Sequence, residues 1–171
     1  RRHHALRRMP RLPSVGAQPA SLGAAMTNKI RGKRTKGNPV ALTQRDFDLL
    51  VLIGLCRYVS TPQLAREFFT SIDRCRHRLR QLFNAGLVNF TLVSSTSPNL
   101  VSLTRAGLNT AIERQPELEP YLRMSGPIRS SGIVHHLLNN DIRLYVSTLA
   151  KTGGMAMLHW SNSGGERWGL N

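Results

Sequence analysis

Apolar positions recur at helical spacing in five stretches of this chain, separated by short polar breaks. Phe47, Leu50, Val51 and Leu55 follow Thr43, a residue type favoured at helix N-caps. Asp46 stands in the first turn, where a carboxylate suits the helix dipole. This spacing predicts a helix over residues 44–56, and residues 57–60 turn the chain. Thr61-Pro62 is a second start signal, a capping Thr with Pro at the first helical position; Leu64, Ala65 and Phe68 then form a short apolar face ending near Phe69. A third helix begins at Ser71, with Cys75, Leu79, Leu82 and Phe83 at i, i+4, i+7 and i+8, and Gly86 closes it as a left-handed cap. Residues 87–93 mostly alternate and 100–103 form a second short strand; the polar turn 94–99, with Pro98, joins them as a hairpin. Thr104 caps a fourth helix, with Leu108, Ala111 and Ile112 inward and Pro116 as its stop. Pro120, Gly126 and Pro127 mark a loop. A fifth helix is expected over 133–151, with Val134, Leu138, Tyr145 and Leu149 along one face and Gly153-Gly154 at its end, and one more strand at 155–160.

Helix, short helix, helix, two-stranded hairpin is the order of a winged helix-turn-helix. The expected fold class is mainly α with a small β-hairpin: a winged helix-turn-helix plus an additional C-terminal helix. The expected division is a disordered basic arm at 1–38, a winged helix-turn-helix DNA-binding domain at 39–115 and a linker at 116–131. The helix and strand of 132–160 then start a truncated second domain, and 161–171 form a flexible tail.

Charge sharpens this picture. The 171 residues hold 24 Lys+Arg against 9 Asp+Glu, a formal net charge of +15. Such an excess favours polyanions, either nucleic acid or an anionic membrane surface. Residues 1–38 carry two thirds of it, with 10 basic residues and no acidic one, many Pro and Gly, and no sustained apolar period. They suit a phosphate-gripping arm or, being Arg-rich and acid-poor, a transit peptide. The chain begins with Arg, and a natural start at Met26 or Met9 is expected; Lys29, Arg31, Lys33, Arg34 and Lys36 remain as a short arm even then. The longest apolar run, residues 49–56, falls far short of the roughly 20 needed to span a bilayer. Cys56 and Cys75 cannot build a disulfide framework and read as buried free thiols of a reducing compartment, and the expected location is the bacterial cytoplasm.

The third helix carries the candidate chemistry. With Cys75 at zero and 100° per residue, its apolar residues cluster near about 20°. Asp73, Arg74, His77, Arg80, Gln81 and Asn84 fall on the opposite half, and Arg76 and Arg78 on the flanks. Arg, His, Gln and Asn are the types that read base edges or clamp phosphates, and Arg suits bidentate contacts. Arg74, His77, Arg78 and Gln81 are assigned to base or groove contacts and Arg76 and Arg80 to phosphates; Thr61, Lys33, Arg34 and Lys36 complete the DNA-binding set. A charged helix face is more commonly just solvated, but here only Asp73 balances four arginines locally. The wing tip, residues 94–99, holds no Lys or Arg for the minor groove.

No catalytic residue, metal ligand or cofactor site is assigned. His135 and His136 point about 100° apart on a helix and do not share one ion easily. A polar helix face or a packing contact is their default reading, and Asp141 and Arg143 read first as packing or an ion pair. Glu113, Glu117 and Glu119 read as surface rather than as a carboxylate cluster for magnesium.

Several segments in order carry a family resemblance. They are Leu42-Thr43-Gln44-Arg45-Asp46; Ser60-Thr61-Pro62-Gln63-Leu64-Ala65 with Phe68-Phe69; and Cys75-Arg76-His77-Arg78-Leu79-Arg80-Gln81-Leu82 with Ala85-Gly86-Leu87-Val88. Leu103-Thr104-Arg105-Ala106-Gly107, His135-His136-Leu137 with Asn140-Asp141-Ile142-Arg143, and Trp160 follow. Over roughly 42–160 the chain resembles the replication-relaxation proteins of bacterial plasmids and mobile elements. The resemblance implies DNA binding in plasmid replication or in DNA relaxation during mobilisation. It also implies a second α/β domain of nuclease-like appearance, from which the Gly-rich end of this chain departs.

The leading expectation is therefore a non-enzymatic protein that binds double-stranded DNA with its third helix in the major groove. A relaxase or replication protein and a second copy of the chain are candidate partners. Rival readings are a winged-helix transcriptional repressor dimerising through the fifth helix, a fragment of a nuclease-like enzyme, and a protein-interaction module. Replacing Arg78 and Arg80 with Ala is expected to weaken DNA binding and leave the fold intact.

Overall fold

A computed structural model of the chain describes residues 33–35, 40–92, 98–126 and 130–154. Its described part is mainly helical with a small antiparallel sheet. The elements run α1 (Gln44–Cys56), β1 (Val59–Ser60), α2 (Thr61–Phe68), α3 (Ile72–Asn84), β2 (Val88–Thr91), β3 (Leu100–Leu103), α4 (Arg105–Arg114) and α5 (Ser130–Thr152). A single 3-10 turn, Pro116–Leu118, follows α4.

Local chemistry explains most boundaries. The Thr43 N–H and hydroxyl both donate to Asp46 Oδ2 at 2.7 Å, closing the first turn of α1. The start of α2 lies one residue earlier than the Thr-Pro signal indicates. Ser60 is the cap, accepting from the Gln63 N–H, and its own N–H donates to Gln63 Oε1 at 3.0 Å. Thr61 is the first helical residue and Pro62 the second, still within the turn where a missing N–H costs nothing. Ser71 caps α3, and Gly86, at φ +81°, reverses the chain behind it. The Thr104 hydroxyl accepts from the Gly107 N–H and donates to the Gly86 carbonyl at 2.6 Å, so one side chain caps α4 and ties it to the end of α3. A Cβ at Gly107 would come within 2.0 Å of the Leu87 carbonyl oxygen, so only glycine fits this contact.

The hairpin gains a third strand. In the order β1-β3-β2, Val59 faces Val101 and Ser60 faces Leu100, while Val88 through Thr91 face Leu103 through Leu100. Two residues show no alternation, so β1 reads as a turn until its partner is known. One apolar core gathers Leu49, Leu50 and Ile53 of α1, Leu64 of α2, Leu79, Leu82 and Phe83 of α3, and Val88, Val101 and Leu103 of the sheet. Cys56 and Cys75 are buried free thiols, as expected. Burial pushes both up to about 11, which leaves them protonated near neutrality.

One expectation about the C-terminal half meets a different arrangement. Part of the expected linker belongs to the core: Leu122 is buried against Gly54, and the Arg123 N–H donates to the Gly54 carbonyl. The apolar face of α5 is turned outward. Val134, Leu138, Tyr145 and Leu149 share one face, as expected, and are 68%, 56%, 66% and 50% exposed. The packed face carries Ile133, Asn140, Arg143 and Leu144. Its polar groups meet backbone carbonyls at and just beyond the end of α1. Arg143 Nη1 donates to the Leu55 carbonyl at 3.1 Å and Asn140 Nδ2 to the Tyr58 carbonyl at 2.6 Å. His136 Nε2 lies 3.2 Å from the same Tyr58 oxygen, and Gln63 Nε2 donates to the Leu137 carbonyl at 2.9 Å. The strand expected at 155–160 and the tail lie outside the described residues.

Candidate nucleic-acid interface

α3 stands against α2 and the sheet with the stripe expected of it. Cys75, Leu79, Leu82 and Phe83 are buried, and Arg74, Arg76, His77 and Arg80 are exposed. Its outer surface has two flanks with different chemistry.

One flank is occupied by the protein itself. Asp46 is fully buried, and the Arg78 guanidinium spans its carboxylate, with Nε to Oδ1 at 2.8 Å and Nη2 to Oδ2 at 2.6 Å. Arg78 Nη2 also donates to the Ala41 carbonyl at 2.8 Å and Nη1 to Gln81 Oε1 at 2.7 Å. The Arg78 side chain is only 17% exposed. Burial alone pushes the Asp46 pKa up, but the hydrogen bonds from Arg78 and Thr43 and the Arg78 charge outweigh it and leave the carboxyl below its ordinary 3.8. Arg78, expected at a base, thus binds α3 to α1, and Gln81, also expected at a base, accepts from its guanidinium within α3. Removing one partner from such a buried pair costs about 3–5 kcal/mol. An Ala substitution at Arg78 therefore tests stability as much as any ligand contact.

The other flank is open. Arg76, Arg80 and Thr61 line a groove of about 350 Å³ between α3 and the sheet, together with Ile72, Phe90 and Asn99. Arg76 pairs with Asp73 at 3.0 Å in solvent, a contact that holds it weakly. Arg80 lies over the Phe83 ring and reaches the Lys33 carbonyl at 3.4 Å. Arg74 Nη1 donates to Thr70 Oγ1 at 3.3 Å. Thr61 is itself buried, with its hydroxyl 3.4 Å from the Asn99 carbonyl, so it serves the groove wall rather than the surface.

The arm is attached at the C-terminal end of α3. Arg34 Nε donates to the Phe83 carbonyl at 3.1 Å and Nη2 to Asn89 Oδ1 at 2.9 Å, with the guanidinium over the Phe83 ring. The Thr35 N–H donates to Asn84 Oδ1 at 3.4 Å. Lys33 and Arg34 are thereby placed beside Arg80. Lys36 lies outside the described residues.

Sequence reasoning missed Arg45. It is the second residue of α1, and its guanidinium lies 4.5 Å from the Phe69 ring, placing a cation beside the α2–α3 connection. Nothing in the spacing of Arg45 signals that; only the packing of α1 on α2 brings it there.

The histidines expected as a polar or packing feature have separate duties. His136 contacts the Tyr58 carbonyl, and His135 Nε2 lies 3.1 Å from Asn139 Nδ2. Among the described residues no three His, Cys, Asp or Glu converge as a metal set. No helix among them is long and apolar enough to cross a membrane. The chain matches no family model, no curated protein and no solved structure.

Proposed function

We propose that this chain is a winged-helix protein that binds double-stranded DNA and works without catalysing a reaction. The observation that carries the reading is the open flank and crest of α3. Arg74, Arg76, His77 and Arg80 are exposed there without a buried acidic partner, and the arm adds Lys33 and Arg34 at one end. Cations clustered on one helix, with donors in fixed planar geometry, suit phosphates and guanine edges. In this reading Arg74, His77 and Arg80 face bases or the groove, Arg76, Lys33 and Arg34 meet phosphates, and the hairpin is the wing. Arg78 and Gln81 hold the helix in place. The segments that resemble replication-relaxation proteins favour a role in plasmid replication or mobilisation, with a relaxase or replication protein as partner.

Fluorescence anisotropy with a short duplex, titrated from about 50 to 200 mM salt, tests the reading. The Arg74→Ala/Arg80→Ala variant leaves the Arg78–Asp46 pair untouched and is expected to fold normally. It should bind at least tenfold more weakly and discriminate less between duplex sequences. Unchanged affinity in the folded variant would remove α3 as the reader. Absence of binding by the parent chain would instead favour a protein-interaction module. A second reading, a dimeric winged-helix repressor, draws on the exposed apolar face of α5.

A further inference from the structure

The exposed stripe of α5 has a symmetry of its own. Val134, Leu138, Ile142, Tyr145, Val146 and Leu149 leave a continuous apolar band on a 23-residue helix, with Val134 and Tyr145 about two-thirds exposed. Bands of this kind mark association surfaces rather than ordinary solvent-facing helix. Val134 and Leu149 lie equally far from the midpoint between Asp141 and Ile142, and so do Leu138 and Tyr145. Reversing the helix about that midpoint exchanges these four positions, and Ile142 stays within one residue of it.

The surrounding charge agrees with that pattern. The chain carries +15, a balance that opposes self-association in general. Along α5, however, the exposed charges are already paired. Asp141 pairs with Arg66 of α2 and Lys151 with Glu67 of α2, while Arg143 is buried away from the stripe on the Leu55 carbonyl. The stripe thus carries no unpaired exposed charge on a strongly basic protein. A basic or acidic partner has no complementary charge to meet there, whereas an identical surface meets it without repulsion.

We infer that α5 is the contact between two copies of this chain, packed antiparallel about a two-fold axis near Ile142. Ile142 then lies beside its own copy, Leu138 against the partner copy's 145–146 region, and Val134 against its 149 region. An isologous contact of this type closes on itself and gives a dimer. The inference does not rest on DNA binding, and its test involves no nucleic acid.

Analytical ultracentrifugation of the full chain should show a concentration-dependent dimer, and Ile142→Glu should sediment as a monomer with unchanged circular dichroism. Cross-linking with a short bis-maleimide fixes the direction, because the native Cys56 and Cys75 are buried. Ile142→Cys should link two copies efficiently. Val134→Cys should not, since the two copies of that residue lie about 22 Å apart along an antiparallel pair at 1.5 Å rise per residue. A monomeric parent at about 100 µM, as when another part of the chain covers the stripe, would overturn the inference. So would a dimer indifferent to Ile142→Glu, or one linked through Val134→Cys.

Discussion

α3 and α5 are both helices with a mixed surface, yet the pattern of apolar residues identifies the packed face of one and the exposed face of the other. In α3 the apolar residues form one stripe and nearly everything else is charged or polar, so burial of that stripe is the single low-energy solution. In α5 apolar residues occur all round, and the choice of face falls to polar ones. Asn140 and Arg143 donate to the Tyr58 and Leu55 carbonyls near the end of α1 and lie on the packed face, while Val134 and Tyr145 stay outside. A buried carbonyl without a donor costs about 1–3 kcal/mol, enough to orient a helix whose two faces are similarly apolar. A buried polar side chain is therefore as informative about orientation as an apolar one, once its acceptor is known.

The largest test of the contrast lies in α3. Arg78→Ala should lower stability by about 3–5 kcal/mol, because it leaves the fully buried Asp46 unpaired. Urea unfolding followed by circular dichroism measures it. A loss below about 1 kcal/mol would return Arg78 to the surface set and make the flanks of α3 equivalent.

A smaller effect sharpens the reading of α5. Arg143→Met should cost about 1–3 kcal/mol through the orphaned Leu55 carbonyl. Leu138→Ser, measured in dilute solution where dimerisation contributes nothing, should cost less than about 0.5 kcal/mol. The reverse order would restore the apolar face as the packed one.

The smallest effect is one of pH. Asp46 has a folded-state value below its ordinary 3.8, so its contribution is complete above that value and disappears as pH falls through the lower folded one. The stability gap between the parent and Asp46→Asn should be constant from pH 7 to about 5 and close below pH 3.8. A gap that is constant down to pH 3 would mean that the Arg78–Asp46 pair contributes nothing net.

Much of the fold was legible because local signals agree with one another. Thr43 with Asp46, Ser71, Gly86, and Thr104 with Gly107 mark ends where the backbone groups are satisfied within a few residues. Likewise the α1 and β3 boundaries coincide with the pattern of the chain, as does the inward stripe of α3. The strand β1 was not legible, since two residues become a strand only by pairing with Val101 and Leu100. Leu122 was not, since the short stretch between Pro116 and Pro127, broken again by Pro120, reads as a loop. Within the candidate site, the outward positions of Arg74, Arg76, His77 and Arg80 follow from helical geometry alone.

The chain by itself determines where helices start and stop, which side of α3 is inward, and how many cations lie along it, because these depend on contacts within about one turn. Only the tertiary structure decides which of those cations are available. Asp46 lies 32 residues before Arg78 and Leu55 lies 88 before Arg143, and no periodicity reaches across such distances. The same holds for Arg34 on the Phe83 carbonyl and for Arg45 beside Phe69. A charge or donor takes its role from what it faces when folded, and in this protein those partners come from remote parts of the chain.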